Sequence, residues 1–585
     1  MSLTLRDSGL ASVCRSRRCV AFVFVLALVV VTYPAWLYYL VYVAEPGFLH
    51  EEVRILFPYH RYTDSTLFQG NYILAFLDRS AHVWGYDAIV WVWARLFGDI
   101  RTLHLIVLPL ALTLIYLLGV FFSARQMGGT AVGWGAVALS ILQSNVLYQM
   151  ASALPHAFAF PLLAWTLDAL QRDSSVGLFV LTVSAALLYP PMTPIIGVAY
   201  AYFLLITPAK WRSARGERPM ARRIAVLAAA AVASAAIVIS GLPPKNDEFG
   251  SYMAPGTRTE EFPENGPGGR HFRGTLEPVA YGLLAFTQQF KPLASEDFLT
   301  PGTHAGLVVT LSVLLLGLGV AALLMPARSI AVARLKPFLS SSLFLAVVMV
   351  AAAPGLAYRF IFYPLHLLFS VLFPLGVASL LDRVGTSRFL RLAGMALVLA
   401  ACSALMNTRY PGAMGPFAMK LTPEQQALIA YAERTPPNTL FAGRPGYTIE
   451  FVPFLAKRPA FLLGKTHYPA YEGYAKEMRA RMLATIEAYF ATDSRRVQQL
   501  RDRWGVDLLV VDRQTFTAAR EPDFKFSPIT KPFEEYVHQL LERRAGEAFY
   551  LESPPDEAVA YRSGAYYVLD LAALGPAMPQ ATRKP

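Results

Sequence analysis

The stretch CVAFVFVLALVVVTYPAWLYYLVYVAEPGFLHEE, residues 19–52, decides the fold. Its first part, 19–43, is an apolar run long enough to cross about 30 Å of hydrocarbon. A few residues later stand two adjacent acids, Glu51 and Glu52. The run is too long for a cleaved signal peptide. It continues through Trp36, Tyr38 and Tyr39 with no small-residue cleavage site, so it reads as an uncleaved anchor. Arg15, Arg17 and Arg18 precede it, which predicts a cytoplasmic N-terminus over residues 1–18.

Working outward, comparable runs recur at 104–123, 130–149, 157–170, 176–206, 224–242, 306–325, 338–353, 360–381 and 389–406. The run 176–206 is too long for one span, and Pro190-Pro191 divides it. The prediction is a polytopic α-helical membrane protein with about eleven transmembrane helices over 19–406. Composition agrees: the 585 residues are 55% hydrophobic and only 16% charged, with a mean hydropathy of +0.41, whereas a soluble domain is about a quarter charged. A net charge of +12 would suggest nucleic acid in a soluble chain. Here the basic residues gather in alternate loops: Lys210, Arg212, Arg215, Arg218, Arg222 and Arg223; then Arg328, Arg334 and Lys336; then Arg383, Arg388 and Arg391. All fall on the N-terminal, cytoplasmic side, so the charge reflects topology and no nucleic-acid partner is expected. An odd span count puts the C-terminus outside. Three cysteines, Cys14, Cys19 and Cys402, exclude a disulfide-stapled framework.

Three outer regions remain. Loop 44–103 holds two amphipathic pieces, 50–62 and 86–97, the second with Trp91 and Trp93; both are expected to lie along the membrane interface. Loop 243–305 is rich in Pro and Gly and reads as irregular. Residues 407–574 alternate strand candidates (439–442, 460–463, 507–511, 549–551, 565–569) with helix candidates (423–434, 473–490, 494–503, 532–544), which predicts an extracytoplasmic α/β domain. Residues 575–585 form a short tail. No Gly-rich phosphate loop, catalytic triad, zinc spacing or Walker motif occurs.

Few charges on the outer face could carry chemistry. Glu51 and Glu52 are favoured at a helix N-terminus by its dipole, but a carboxylate just outside the membrane can also deprotonate a hydroxyl or hold a divalent cation, magnesium or manganese, beside a phosphate. Arg359, in PGLAYRFIFYPLH (354–366), is either a snorkelling interfacial side chain or a clamp for a lipid phosphate, supported by Tyr358 and Tyr363. His366 reads as a packed helix residue. Arg54, His60, Arg61 and Asp64 could contact phosphate or form an interfacial polar face, and His156 could reach the same cavity. Asp247, Glu248, Arg270, His271 and Arg273 read as solvated loop charges. Arg444, Tyr447, Lys465, His467, Tyr468 and Tyr471 cluster near predicted strand ends, where the plainer reading is a structured loop.

A cytoplasmic N-terminus, one span, acids early in a long outer loop, many further spans and an external α/β domain together resemble the GT-C superfamily of membrane glycosyltransferases, which use polyprenyl-phosphate-linked sugars. The stretches HEEVRILFPYHRYTDSTLFQGNYILAFL (50–77), LPHAFAFPLL (154–163) and YRFIFYPLHLLF (358–369) also look like bacterial multispan proteins of this layout. The resemblance implies that Glu51-Glu52 stands at the position of the superfamily's key first-loop acid, here without an aspartate. It implies inverting transfer of a sugar from a polyprenyl phosphate to an envelope glycan, lipid or protein at the outer face of the cytoplasmic membrane. The W-W-D motif of oligosaccharyltransferases is absent. The competing expectations are a lipid or glycan transporter, and a non-catalytic envelope-assembly protein.

Overall fold

The computed structural model describes residues 17–44, 48–79, 82–205, 220–242, 248–254, 257–266, 286, 335–352, 354–383, 388–406, 418–446, 448–467, 470–518, 531–544 and 546–574. Most are helical. Three helices among them are long and apolar enough to cross a membrane: Ile100–Gly128, Met220–Ser240 and Tyr358–Asp382. The leading run forms the helix Arg17–Ala44, with Pro34 inside it. The Pro190-Pro191 divide is present: a 3-10 turn, Pro190–Met192, separates Ser175–Leu188 from Thr193–Leu205. Proline lacks the N–H that would continue the helix. The expected span 306–325 lies outside the described residues.

The run 130–149 departs from expectation. It forms two helices, Thr130–Leu142 and Ser144–Ala151, bent by 70°. Gln143 sits at the break in an extended conformation and is fully buried. Its amide Nε2 donates to Ser370 Oγ and to the His366 carbonyl at 3.3 Å, both on the helix Pro354–Arg383. A buried amide must find partners, and the facing helix supplies them at the point where this helix stops.

At one end of the bundle, Arg223 grips Asp173 with two bonds of 2.8 and 3.0 Å, and Arg391 pairs with Asp382. At the other end the loops and the tail gather. Strand β1 (Phe48–His50) pairs antiparallel with β2 (Ala418–Lys420), so the chain just after the first helix is tied to the chain just after the last. The tail carries a four-stranded mixed sheet. β3 (Phe441–Gly443) lies parallel to β4 (Leu508–Asp512); β6 (Tyr566–Asp570) is antiparallel to both β4 and β5 (Val559–Ser563), in the order β3-β4-β6-β5. All of β4 is buried, as its unbroken Leu-Leu-Val-Val run requires of a central strand. The helices Pro423–Arg434, Glu472–Tyr489, Ser494–Trp504 and Lys531–Arg543 match the predicted ones within a residue or two. Thr422 and Gln425 close a capping box on the first of these. Two strand candidates do not form: Ala460 makes a single bridge to Phe441, and Tyr550–Glu552 is a 3-10 turn.

Segment 50–62 also differs from expectation. It is not a helix lying in the interface but two 3-10 turns, Glu51–Ile55 and Phe57–Tyr62. Val53, Leu56 and Phe57 are buried in a core shared with the tail residues Phe451 and Phe454. Full burial of each such side chain is worth about 1.5–3 kcal/mol, enough to draw the segment onto protein. Segment 86–97 falls in the helix Trp84–Phe97, which leaves Trp84, Trp91, Leu96 and Phe97 exposed. An aromatic cluster of Tyr72, Phe76, Phe249 and Tyr474 joins both loops to the tail.

Beneath this contact lies a buried charge pair, Arg54 with Glu450 at 3.7 Å. Glu450 also accepts the backbone N–H groups of Gly446, at 3.0 Å, and Gly464. Removing one member of a buried pair typically destabilises by about 3–5 kcal/mol. Glu450→Ala should therefore lower the unfolding temperature of the purified chain markedly, while Arg61→Ala, whose Asp78 pair is exposed, should leave it within a degree or two (about 0–1 kcal/mol). Equal stability of the two variants would contradict the docking described.

Candidate functional site

The site is built at the end of the bundle where the loops gather, from five separate segments of the chain. Glu51 and Glu52 open the 3-10 turn after β1; the side chain of Glu51 lies outside the described residues. His156 stands in the 3-10 turn Pro155–Phe158. Tyr189 ends the helix Ser175–Leu188 just before the double proline. Arg359 lies near the start of the helix Pro354–Arg383. The tail adds Lys465 from the 3-10 turn Gly464–Thr466.

Glu52 is the centre. Its Oε1 lies 2.6 Å from Lys465 Nζ, and both side chains are largely buried. Burial alone would push the Glu52 carboxyl up; Lys465, with His156 and His50, overrides this and holds it down at about 2. The group is thus a carboxylate at any physiological pH. The Glu52 backbone N–H donates to His50 Nδ1 at 3.1 Å. The His50 ring lies tilted against Tyr148, with centroids 4.2 Å apart, and burial holds it neutral, near a pKa of 3. His156 bonds through Nε2 to Ser152 Oγ at 3.0 Å. Burial lowers its pKa to about 4, and Arg359 and Lys465 add to that against the pull of Glu52. Glu52 and Arg359 thus act on the His156 charge in opposite directions.

Arg359 is held by tyrosines. Its Nη1 donates to Tyr189 Oη at 2.7 Å and its Nε to Tyr358 Oη at 3.1 Å. Its guanidinium lies over both rings, 5.7 and 5.5 Å from their centroids. Tyr363 is buried beside Tyr189. Among the described residues no carboxylate pairs with Arg359. A guanidinium placed in an apolar helix is expensive without a counter-charge; here phenols orient it, and the charge stays available to an anion.

The other candidates fall elsewhere. Arg54 is committed to Glu450. His60 bonds through Nε2 to the Phe454 carbonyl at 2.7 Å and is buried against the tail. Arg61 pairs with Asp78 on the surface, and exposed Asp64 accepts from the backbone and hydroxyl of Thr66. Glu248 pairs with Arg79 at 2.7 Å. Asp247, Arg270, His271, Arg273, Tyr447 and Tyr468 lie outside the described residues. In the tail, buried Arg444 donates from its backbone to Tyr489 Oη, His467 sits 3.7 Å from buried Glu264, and Tyr471 bridges to Tyr252. Among the described members of that group, Lys465 alone pairs with Glu52. No local pattern distinguishes it from its neighbours; the only signal was a basic residue near a predicted strand end.

Among the described residues no group of three or more His, Cys, Asp or Glu side chains is arranged to hold a metal ion. Magnesium and manganese want several oxygen ligands. Around Glu52 there is one described carboxylate, already taken by an ammonium, and two imidazoles. Those described donors by themselves do not complete a site for either ion.

Among the described residues, a carboxylate ion-paired with Lys465 and a guanidinium held by tyrosine hydroxyls thus stand at the loop-bearing end of a helical bundle. No protein-family model matches the chain, and no curated protein sequence is significantly similar to it. Among solved structures it is similar to the archaeal oligosaccharyltransferase AglB from Archaeoglobus fulgidus in complex with an inhibitory peptide and a dolichol-phosphate, with a TM-score of 0.46, 12% identity, and coverage of 84% of this chain and 70% of that one. It is also similar to ArnT from Cupriavidus metallidurans bound to undecaprenyl phosphate, with a TM-score of 0.40, 14% identity, and coverage of 96% and 100%. Likeness this distant transfers no residue roles, and the chemistry of this chain rests on its own side chains.

The electrostatics carry a prediction. In Lys465→Met the charge that depresses Glu52 is gone and burial dominates, so the carboxyl should titrate above its ordinary value of 4.5. An infrared titration of the carboxyl band, referenced to Glu52→Gln, should show protonation on acidification through pH 6 to 4 in the Lys465 variant (about the range for a buried carboxyl) and none there in the parent. An unchanged band in both would contradict the pairing.

Proposed function

We propose that the chain is an inverting membrane glycosyltransferase that moves a sugar from a polyprenyl-phosphate donor to an envelope acceptor at the outer face of the cytoplasmic membrane. In this reading about eleven spans carry the site, the N-terminus is cytoplasmic, and residues 407–574 form an extracytoplasmic domain that holds the acceptor. The observations that support it most are Glu52, ion-paired with Lys465 at 2.6 Å, and Arg359, held by tyrosine hydroxyls with no carboxylate partner among the described residues.

The donor enters laterally from lipid with its phosphate toward Arg359. The acceptor hydroxyl lies against Glu52 and attacks the anomeric carbon from the face opposite the phosphate. A bond forms between acceptor oxygen and anomeric carbon as the bond from that carbon to the phosphate oxygen breaks. The electron pair leaves with the phosphate, and the acceptor proton passes to Glu52. The leaving group gains a negative charge, which the tyrosine-fixed Arg359 stabilises in a site that excludes water. With its low pKa, Glu52 is a weak base that orients the hydroxyl and takes its proton late, when the oxygen has become acidic.

Two variants test this with a radiolabelled panel of polyprenyl-phosphate sugars and a solubilised envelope fraction as acceptor. Glu52→Gln should lower transfer by roughly 10²–10⁴-fold, the contribution of a positioned acid–base group. Arg359→Ala should lower it by roughly 10²–10³-fold. Turnover unchanged in both would remove the carboxylate and phosphate roles together.

A further inference from the structure

The site contains a cation that the sequence does not announce as part of it. Lys465 belongs to the tail, yet its ammonium lies 2.6 Å from Glu52 Oε1. We propose that the Lys465 ammonium bridges Glu52 and the departing phosphate, that His50 donates a second hydrogen bond, and that transfer needs no divalent metal.

The geometry supports each part. An ammonium has three donors in a roughly tetrahedral arrangement. One is directed at Glu52 Oε1, and an ammonium so placed can turn another toward a phosphate oxygen. His50 points to the same conclusion independently. Its Nδ1 accepts the Glu52 backbone N–H, so the neutral ring carries its proton on Nε2. That Nε2 is buried and has no hydrogen-bond partner among the described residues. A buried donor without an acceptor is unfavourable in the resting protein and suits a ligand oxygen. The electrostatic neighbours of His50 are Glu52, His156, Lys465 and Arg54, which puts it in the Glu52 site. Charge also balances. On cleavage of the anomeric C–O bond the donor phosphodiester becomes a phosphomonoester with one more negative charge; Lys465 and Arg359 meet it from the tail and from the bundle, and the acceptor proton goes to Glu52. Because the cation comes from the tail, the site is complete only with the tail docked on the first loop.

The proposal rests on the glycosyltransferase reading for its reaction but not for its binding chemistry, so the test has two arms. In the first, binding of undecaprenyl phosphate to the purified full-length chain is measured in excess EDTA and with added manganese. The wild type should bind equally in both. Lys465→Ala and His50→Phe should each weaken binding by roughly tenfold or more, as expected for a lost charged or buried hydrogen bond, and Lys465→Arg should stay within a few-fold. In the second arm, transfer should survive EDTA in the wild type, fall by about 100-fold or more in Lys465→Ala, and recover in part with added ethylammonium, which a purely structural lysine would not allow. Loss of wild-type binding or transfer in EDTA, restored by manganese, would overturn the proposal while leaving glycosyl transfer standing. Metal-free, Lys465-dependent binding without transfer of any sugar would do the reverse. Unaltered binding in Lys465→Ala and His50→Phe, each folded by its thermal transition, would remove the bridge.

Discussion

The ion pair between Glu52 and Lys465 is the contact on which the account depends. It joins the loop after the first helix to a turn deep in the tail, and it fixes the charge state of the central acid. Neither residue would hold its place alone. Glu52 is positioned by a 3-10 turn whose apolar side chains are buried against the tail, and Lys465 by a turn whose Gly464 amide is bound to Glu450, itself paired with Arg54. The first loop and the tail are therefore one structural unit, and the site lies along their seam, over the end of the helical bundle.

That seam explains which parts of the molecule were legible in the sequence. Apolar length and the double proline located the leading helix Arg17–Ala44 and the break at Pro190–Met192, because apolar length and the missing proline N–H act locally. The four tail helices were readable for the same reason, from periodicity and from caps such as Thr422 and Gln425. Segment 50–62 was misread because an amphipathic pattern records only that one face is buried, not whether lipid or protein covers it. The bend at Gln143 was missed because one glutamine in an apolar run becomes a break only when a facing helix offers Ser370 and the His366 carbonyl. Strands β1 and β2 are three residues each and exist through pairing with a distant partner.

The site was half legible. Glu52 and Arg359 stand out because charge beside an apolar run is rare, and both act on the His156 charge. His60 and Arg54 look equally suitable in sequence, yet both face inward to the tail. Lys465 and His50 could not be singled out, since their importance comes from tertiary contact alone. The tyrosines Tyr189 and Tyr358 make the difference at Arg359: they orient the guanidinium with hydroxyls and ring faces while leaving its charge for a ligand, where an acid would have neutralised it.

The account thus makes one geometric claim about this molecule: a lipid phosphate is held between a basic residue of the bundle and a basic residue of the tail. Electron cryo-microscopy of the full-length chain with a bound polyprenyl phosphate, prepared without divalent metal, tests it most directly. The account predicts phosphate density between the Arg359 guanidinium and the Lys465 ammonium, with Glu52 on the far side of Lys465 and the lipid tail running out between helices. Phosphate bound away from both residues, or Arg359 turned outward to lipid, would contradict it.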